Sequence, residues 1–151
     1  MLKLDHVVFP VWDAEASLDF YRDVMGFPLI NAFSGKDWGG YPWLMMIFAL
    51  GDGREIVLVA LRGARRPPHD GLAKDVRHLA FAESSLKSLD RWRRRLKAKG
   101  IDFWEEDHGS QRSFYFEDPN GTILEITAPP SRAKGPASGG ALAAARKWMK
   151  Q

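Results

Sequence analysis

The sequence predicts an α+β domain built from two tandem βαβββ units, and three observations carry that expectation. Two apolar runs, LDHVVFPV and VRHLAFA, carry a histidine near their start, His6 and His78. Each run is followed by a helix-like stretch that stops at a glycine: SLDFYRDVMG at Gly26, and LKSLDRWRRRLKAKG at Gly100. Each half then closes with a turn and an apolar strand, GDGREIVLVAL and DPNGTILEITAP.

The elements follow in order. Leu4 to Val11 is rich in valine and phenylalanine and reads as a strand. Ala14 to Met25 reads as a helix, with Leu18, Tyr21 and Val24 along one side and Gly26 as C-cap. Phe27 to Phe33 is a strand, and Ser34 to Gly40 a loop carrying three glycines. Pro42 to Leu50 and Arg54 to Leu61 are strands joined by the tight turn Gly51-Asp52-Gly53. A charged, proline-bearing linker separates the units. The second unit repeats the order: strand Arg77 to Phe81, helix Ser85 to Lys99, strands Ile101 to Glu106 and Gln111 to Glu117. Asp118-Pro119-Asn120-Gly121 is a turn, with Asp and Pro where turns favour them and Gly able to take a positive φ. Thr122 to Ala128 is the last strand.

At 151 residues, 45% of them apolar, the chain suits one domain with a sizeable core. We place that domain at 1–130, with unit one at 1–62, linker at 63–75 and unit two at 76–130; a tail with a short helix, ALAAARKWMKQ, occupies 131–151. The absence of cysteine removes disulfides, thiolate ligands and cysteine nucleophiles. No signal peptide and no run of membrane-spanning length is visible, so a cytoplasmic protein with no membrane partner is expected. The net charge is +3, with a basic cluster from Arg91 to Lys99. Leu86, Leu89, Trp92 and Leu96 form one apolar stripe in that segment. The basic residues then occupy a solvated face, and no nucleic-acid partner is expected.

Strand side chains alternate between faces. His6, Val8 and Pro10 share one face of the first strand; His78, Ala80 and Ala82 share one face of the fifth; Ile123, Glu125 and Thr127 share one face of the last. The histidines and Glu125 thus lie opposite the large Leu, Phe and Ile side chains, beside small residues, which describes a cavity. Taken singly, a strand histidine is more often a hydrogen-bonded core residue and a strand glutamate an edge residue facing water. Glu125, however, interrupts an apolar strand, and a buried carboxylate is costly unless paired. Two imidazoles and one carboxylate match a facial metal-binding set with open coordination positions. Trp12, Trp38, Trp43 and Trp104 suit either an apolar pocket or the core.

These residues resemble the vicinal oxygen chelate superfamily over about residues 2 to 129. DPNGTILEI is similar to that family's turn and final strand, and is the most recognisable piece. The resemblance implies a cup-shaped, partly open eight-stranded sheet around a divalent metal, with His6, His78 and Glu125 as ligands. Fe2+ is favoured, with Mn2+, Zn2+ or Ni2+ as other choices. It also implies a small-molecule substrate and a homodimer, and leaves open whether units pair within a chain or across two.

Aligning Gly53 with Gly121 sets Val57 opposite Glu125, so the family's fourth ligand position holds a valine. A two-residue slip brings in Glu55. The stretch HGSQRSFYFEDPNGTILE is similar to the signature of extradiol ring-cleaving dioxygenases, except that Glu106 stands at its first position. That signature implies His108 and Tyr115 as groups near the substrate. His69 is the one candidate for the acid–base histidine of those enzymes.

The leading expectation is dioxygenase-like oxygenation of a small aromatic or enediol-like compound. Its rivals are a glyoxalase-like lyase or isomerase using Glu55 as ligand and base, and a non-enzymatic sequestering protein like the bleomycin-resistance relatives.

Overall fold

Alternating side chains sort the strands into two sheets of identical topology. The computed structural model describes residues 2–130 and 139–150, so 131–138 and 151 of the expected tail lie outside it. The first sheet holds β1 (His6–Val11), β2 (Leu29–Trp38), β3 (Tyr41–Ala49) and β4 (Glu55–Leu61), in the order β1-β4-β3-β2. The second holds β5 (His78–Ala82), β6 (Phe103–Asp107), β7 (Arg112–Glu117) and β8 (Ile123–Ala128), in the order β5-β8-β7-β6. In each sheet the first strand of the unit runs parallel to its last, and the other pairs are antiparallel. The expected duplication and the α+β class are therefore both present.

Helix α1 (Ala14–Asp19) starts where Asp13 caps it: the Asp13 carboxylate accepts the Ala16 amide at 2.9 Å. A longer α-helix is expected here from sequence, but Phe20–Val24 forms a π-helical turn instead, closed by Met25 N–H to the Phe20 carbonyl at 3.0 Å. The inserted turn lets neighbouring aromatics face two sheets. Phe20 meets Phe116 of β7 at 6.3 Å, and Tyr21 meets Phe48 of β3 at 5.8 Å. Gly26 ends the segment at φ 77°, a conformation that favours glycine. A side chain there would also press on the Arg95 guanidinium, 3.1 Å from the position of a Cβ.

Helix α2 (Leu86–Ala98) buries Leu89 and Leu96. Leu86, expected in that stripe, lies 51% exposed as the first residue of the helix. Met46, Phe48, Ile56 and Leu58 of the first sheet join Phe114, Phe116, Leu124 and Ile126 of the second in one buried cluster with the helix residues. Burying each such side chain contributes about 1.5–3 kcal/mol. Both sheets thus turn their large apolar faces toward the helices, and the opposite faces point away from the shared core.

The segment expected as a glycine-rich loop, Ser34 to Gly40, is mostly strand. β2 continues to Trp38, and only Gly39 and Gly40 make the turn. Gly35 permits this because the Trp43 indole of β3 lies across it; a Cβ there would sit 2.5 Å from the indole nitrogen.

A polar latch ties the units together. Asn120, in the turn before β8, accepts the Trp12 amide at 2.8 Å and donates to Ser17 Oγ at 2.9 Å. Asp118 accepts the Asn120 and Thr122 amides, each at 2.8 Å, and the Tyr21 hydroxyl at 3.1 Å. Burial and the Asp118 carboxylate push the Tyr21 phenol well above the ordinary tyrosine range, so it remains a donor. This network places the start of β8, and hence Glu125, relative to α1.

The tail contains an exposed helix, α3 (Gly139–Trp148). Among the described residues no helix is long and apolar enough to cross a membrane.

Candidate metal centre

β8 lies between β5 and β7, so Glu125 stands beside Ala80 on one side and Tyr115 on the other. Ala80 leaves room for His78, two residues back on the same face, to reach over. His78 Nε2 lies 3.0 Å from Glu125 Oε2. The other histidine nitrogen, Nδ1, lies 2.7 Å from the Asp75 carbonyl oxygen. A carbonyl only accepts, so Nδ1 carries a proton and Nε2 is the nitrogen turned to the carboxylate. A cation between Nε2 and the carboxylate, whether a proton or a metal ion, satisfies both groups. Glu125 is itself buried, at 7% exposure, and Ser113 Oγ donates to its Oε1 at 2.5 Å.

This pair fits a divalent ion. Ligand atoms about 2.1 Å from a metal and at right angles to each other lie about 3.0 Å apart. A histidine whose second nitrogen donates to a backbone carbonyl is the usual supported metal ligand, with tautomer and ring plane fixed. The Ser113 hydroxyl plays the same orienting part for the carboxylate.

Tyr115 borders the pair. Its ring meets the His78 ring edge-on at 5.7 Å, and its hydroxyl shares a hydrogen bond with His108 Nε2 at 3.1 Å. Burial, and then the nearby Glu125 charge, raise the phenol above the ordinary tyrosine range, so Tyr115 remains a neutral donor. Trp104 stacks on Tyr115 at 5.2 Å, and its indole N–H donates to Glu106 Oε1 at 3.1 Å. The two residues of the expected signature, His108 and Tyr115, thus adjoin the His78–Glu125 pair.

His6 lies elsewhere. It is exposed on β1, with Nδ1 2.8 Å from Asp5. Its register partner on β4 is Glu55, on the same face. The equivalent partner of His78 is Ile123, so Val57, the partner of Val8, holds the place that Glu125 holds in the second sheet. Among the described residues of one chain, no group of three His, Asp or Glu converges as a metal site. The His6–Glu55 face and the His78–Glu125 face belong to different sheets, each turned away from the common core.

His69 lines a separate cleft of 910 Å³ between the linker and the Asp118–Gly121 turn. Its Nδ1 accepts the Gly71 amide at 3.0 Å. Neither His78 nor Glu125 lines that cleft. Trp12, Trp38, Trp43 and Trp104 all lie outside the buried core cluster. Trp12 lines the cleft, Trp38 and Trp43 pack edge-to-face at 5.6 Å, and Trp104 covers Tyr115.

Sequence reasoning missed the roles of Ser113 and of the Asp75 carbonyl. Ser113 was findable, since it shares facing with Tyr115 and Glu125; a backbone carbonyl carries no sequence signal.

A family model described as the Glyoxalase/Bleomycin resistance protein/Dioxygenase superfamily matches residues 3–126. The glutathione transferase FosA of Serratia marcescens is 26% identical over 126 residues, covering 82% of this chain and 79% of that protein. A glyoxylase/bleomycin resistance protein/dioxygenase domain from Frankia sp. EAN1pec superposes with a TM-score of 0.67 at 22% identity, covering 86% of this chain and 99% of that one. A variant of the fosfomycin resistance protein FosX from Listeria monocytogenes, complexed with Mn(II) and 1S,2S-dihydroxypropylphosphonic acid, superposes with a TM-score of 0.63 at 21% identity, covering 86% and 94%.

Proposed function

The chain belongs to the glyoxalase/bleomycin resistance protein/dioxygenase superfamily, and on that premise we propose that it is a metal-dependent enzyme acting on a small molecule. The proposal assigns the divalent ion to His78 and Glu125 of one chain and to His6 of a second copy. The observation that carries it is the 3.0 Å approach of His78 Nε2 to Glu125 Oε2, with His78 Nδ1 already committed to the Asp75 carbonyl. The placement of His6 supports the second copy: its sheet face, like that of His78, is turned outward, and among the described residues of one chain the two faces do not meet. A homodimer with two equivalent sites is the symmetric arrangement.

When bound, the ion supplies Lewis-acid polarisation of substrate oxygens. The chain's own residues supply the rest. Ser113 and the Asp75 carbonyl orient the two ligands. Tyr115, held as a phenol beside Glu125, donates a hydrogen bond to a substrate oxygen, and His108 behind it exchanges the proton. Val57 adds no fourth ligand, which leaves positions for substrate. Glu55, beside His6, is a candidate base rather than a ligand equivalent to Glu125.

The relationship to FosA favours a transferase reaction, in which a nucleophile adds to the polarised substrate. The His108–Tyr115 hydrogen bond favours a second reading, extradiol-like oxygenation with Fe(II). Oxygen uptake with a catechol selects the second, and oxygen-independent consumption of a thiol selects the first.

The site itself is tested by complementation. His6→Ala and His78→Ala should each abolish stoichiometric Mn(II) binding. Random dimers made by co-refolding equal amounts of the two variants should recover about a quarter of the wild-type sites, since half the dimers are mixed and each carries one complete site. No recovery, with folding intact, removes the shared site.

A further inference from the structure

We infer that Glu106 is a positioning residue: its carboxylate keeps the proton of the neutral His108 ring on Nε2, so that His108 donates to the Tyr115 hydroxyl and leaves the Tyr115 hydrogen to meet the substrate. The inference rests on the reading of Tyr115 as a donor above, and names the group that sets the direction of its hydrogen bond.

Glu106 is the position at which the chain departs from the ring-cleaving signature. The register sets Glu106 beside Ser113 and Trp104 beside Tyr115, on the face that carries Glu125. The Trp104 indole N–H occupies Glu106 Oε1 at 3.1 Å. The other carboxylate oxygen, Oε2, stands 3.7 Å from His108 Nε2. That same nitrogen lies 3.1 Å from the Tyr115 hydroxyl. The turn from which the imidazole projects is held by its own backbone: His108 N–H donates to the Gln111 carbonyl at 2.8 Å, and Ser110 N–H donates to the His108 carbonyl at 3.0 Å.

A hydrogen bond between a phenol and an imidazole nitrogen can run either way. With the ring proton on Nδ1, Nε2 is bare, and the Tyr115 O–H must donate to it. That uses the phenol's one hydrogen. With the ring proton on Nε2, the N–H donates, Tyr115 accepts, and the phenolic hydrogen is free for another partner. Distance does not choose between these arrangements, but charge does. A proton on Nε2 faces the Glu106 carboxylate favourably, whereas a bare Nε2 turns its lone pair toward an anion. The other charges of the turn engage each other: the Asp107 carboxylate accepts the Gly109 amide at 2.8 Å and the Arg112 Nε at 3.3 Å. Tyr115, raised by burial and by Glu125, keeps its hydrogen. The Glu106 and His108 side chains are each 43% exposed, so the bias has the size of a surface charge pair. Moving one proton between two ring nitrogens is all it has to decide.

The first test is the imidazole nitrogen NMR spectrum of the full-length, metal-free protein at alkaline pH, where each tautomer has its own pattern of nitrogen shifts. The chain has four histidines, and His108→Gln identifies the His108 signals by their loss. Wild-type His108 should be protonated mainly on Nε2. Glu106→Gln keeps an oxygen for the Trp104 N–H and turns an amide NH2 toward Nε2, so His108 should become protonated mainly on Nδ1. A wild-type ring protonated on Nδ1, or a tautomer unchanged in Glu106→Gln, overturns the inference.

The second test titrates the Mn(II)-loaded protein with acetohydroxamate, a ligand that offers two oxygens. Glu106→Gln and Tyr115→Phe should each weaken it by roughly 2- to 10-fold, the worth of one hydrogen bond. Adding Glu106→Gln to Tyr115→Phe should change the affinity by less than about 1.5-fold, since the two act as one unit. Deleting the charge of an acid would by itself tighten an anionic ligand, so the direction of the change separates positioning from long-range repulsion. Tighter binding in Glu106→Gln, or the same loss with and without Tyr115, overturns the inference. Failure to take up Mn(II) would instead count against the metal reading, and the nitrogen spectrum then judges Glu106 by itself.

Discussion

Ser113→Ala removes one oxygen and tests how the buried carboxylate is held. Ser113 is fully buried, and its Oγ stands 2.5 Å from Glu125 Oε1 and 3.0 Å from Thr127 Oγ1. The bond to Glu125 joins a neutral donor to an anion, which contributes about 1.5–3 kcal/mol. Alanine leaves Glu125, at 7% exposure, without that donor and opens little space, since the two side chains differ by a hydroxyl. The metal-free protein should therefore lose about 1.5–3 kcal/mol, a fall in Tm of about 3–12 °C for a chain of this length. Losing an orienting partner also typically costs a metal site 10- to 100-fold in affinity. Thermal melts with and without Mn(II), together with isothermal titration of Mn(II), measure both quantities. Unchanged Mn(II) affinity, within threefold, would refute the claim that Ser113 orients a ligand; unchanged Tm would refute the claim that Glu125 needs it when buried.

Two further variants probe the frame. Asn120→Ala deletes an amide that bonds Trp12 and Ser17 across the two units, and should cost about 2–4 kcal/mol, since it strands buried polar partners; a urea midpoint within error of wild type would show that the latch carries no stability. Arg93→Met tests a pH dependence. Arg93 grips Glu105 through two nitrogens, at 3.0 and 2.8 Å, and holds its carboxyl below the ordinary glutamate range. A depressed carboxylate contributes stability above its unfolded value, about 4.3, and loses it as pH falls through the lower folded value. The wild type should thus exceed Arg93→Met in urea midpoint at pH 7, and the gap should close as pH drops well below 4.3. A gap that persists in acid would assign the difference to packing, including the guanidinium over the Phe114 ring at 5.1 Å.

Much of this architecture was legible in the chain because it is repeated and periodic. The paired histidine-bearing strands, the glycine-stopped helices and the two closing turns are local patterns, and each appears where it was read. Errors fell where a long-range contact overrode a local signal. Gly35 reads as loop, yet it is strand because Trp43 needs the space above it. Ala14 to Met25 reads as one α-helix, yet a π turn intervenes where Phe20 and Tyr21 must meet different sheets.

The candidate site divides along the same line. That Ser113 and Tyr115 share a face, and that His78 and Glu125 lie opposite the large apolar side chains of their own strands, is a property of alternation, so the residue order determined it; strand pairing then brought them to one sheet face. Alternation says nothing about which sheet faces which. The aromatic cluster around Phe20, Tyr21 and Phe116 drew the large apolar faces of both sheets inward onto the helices, and that choice turned His6 and His78 outward on separate sheets. Packing of side chains far apart in the chain made that decision, because burying apolar area is non-directional and is settled only when distant segments meet.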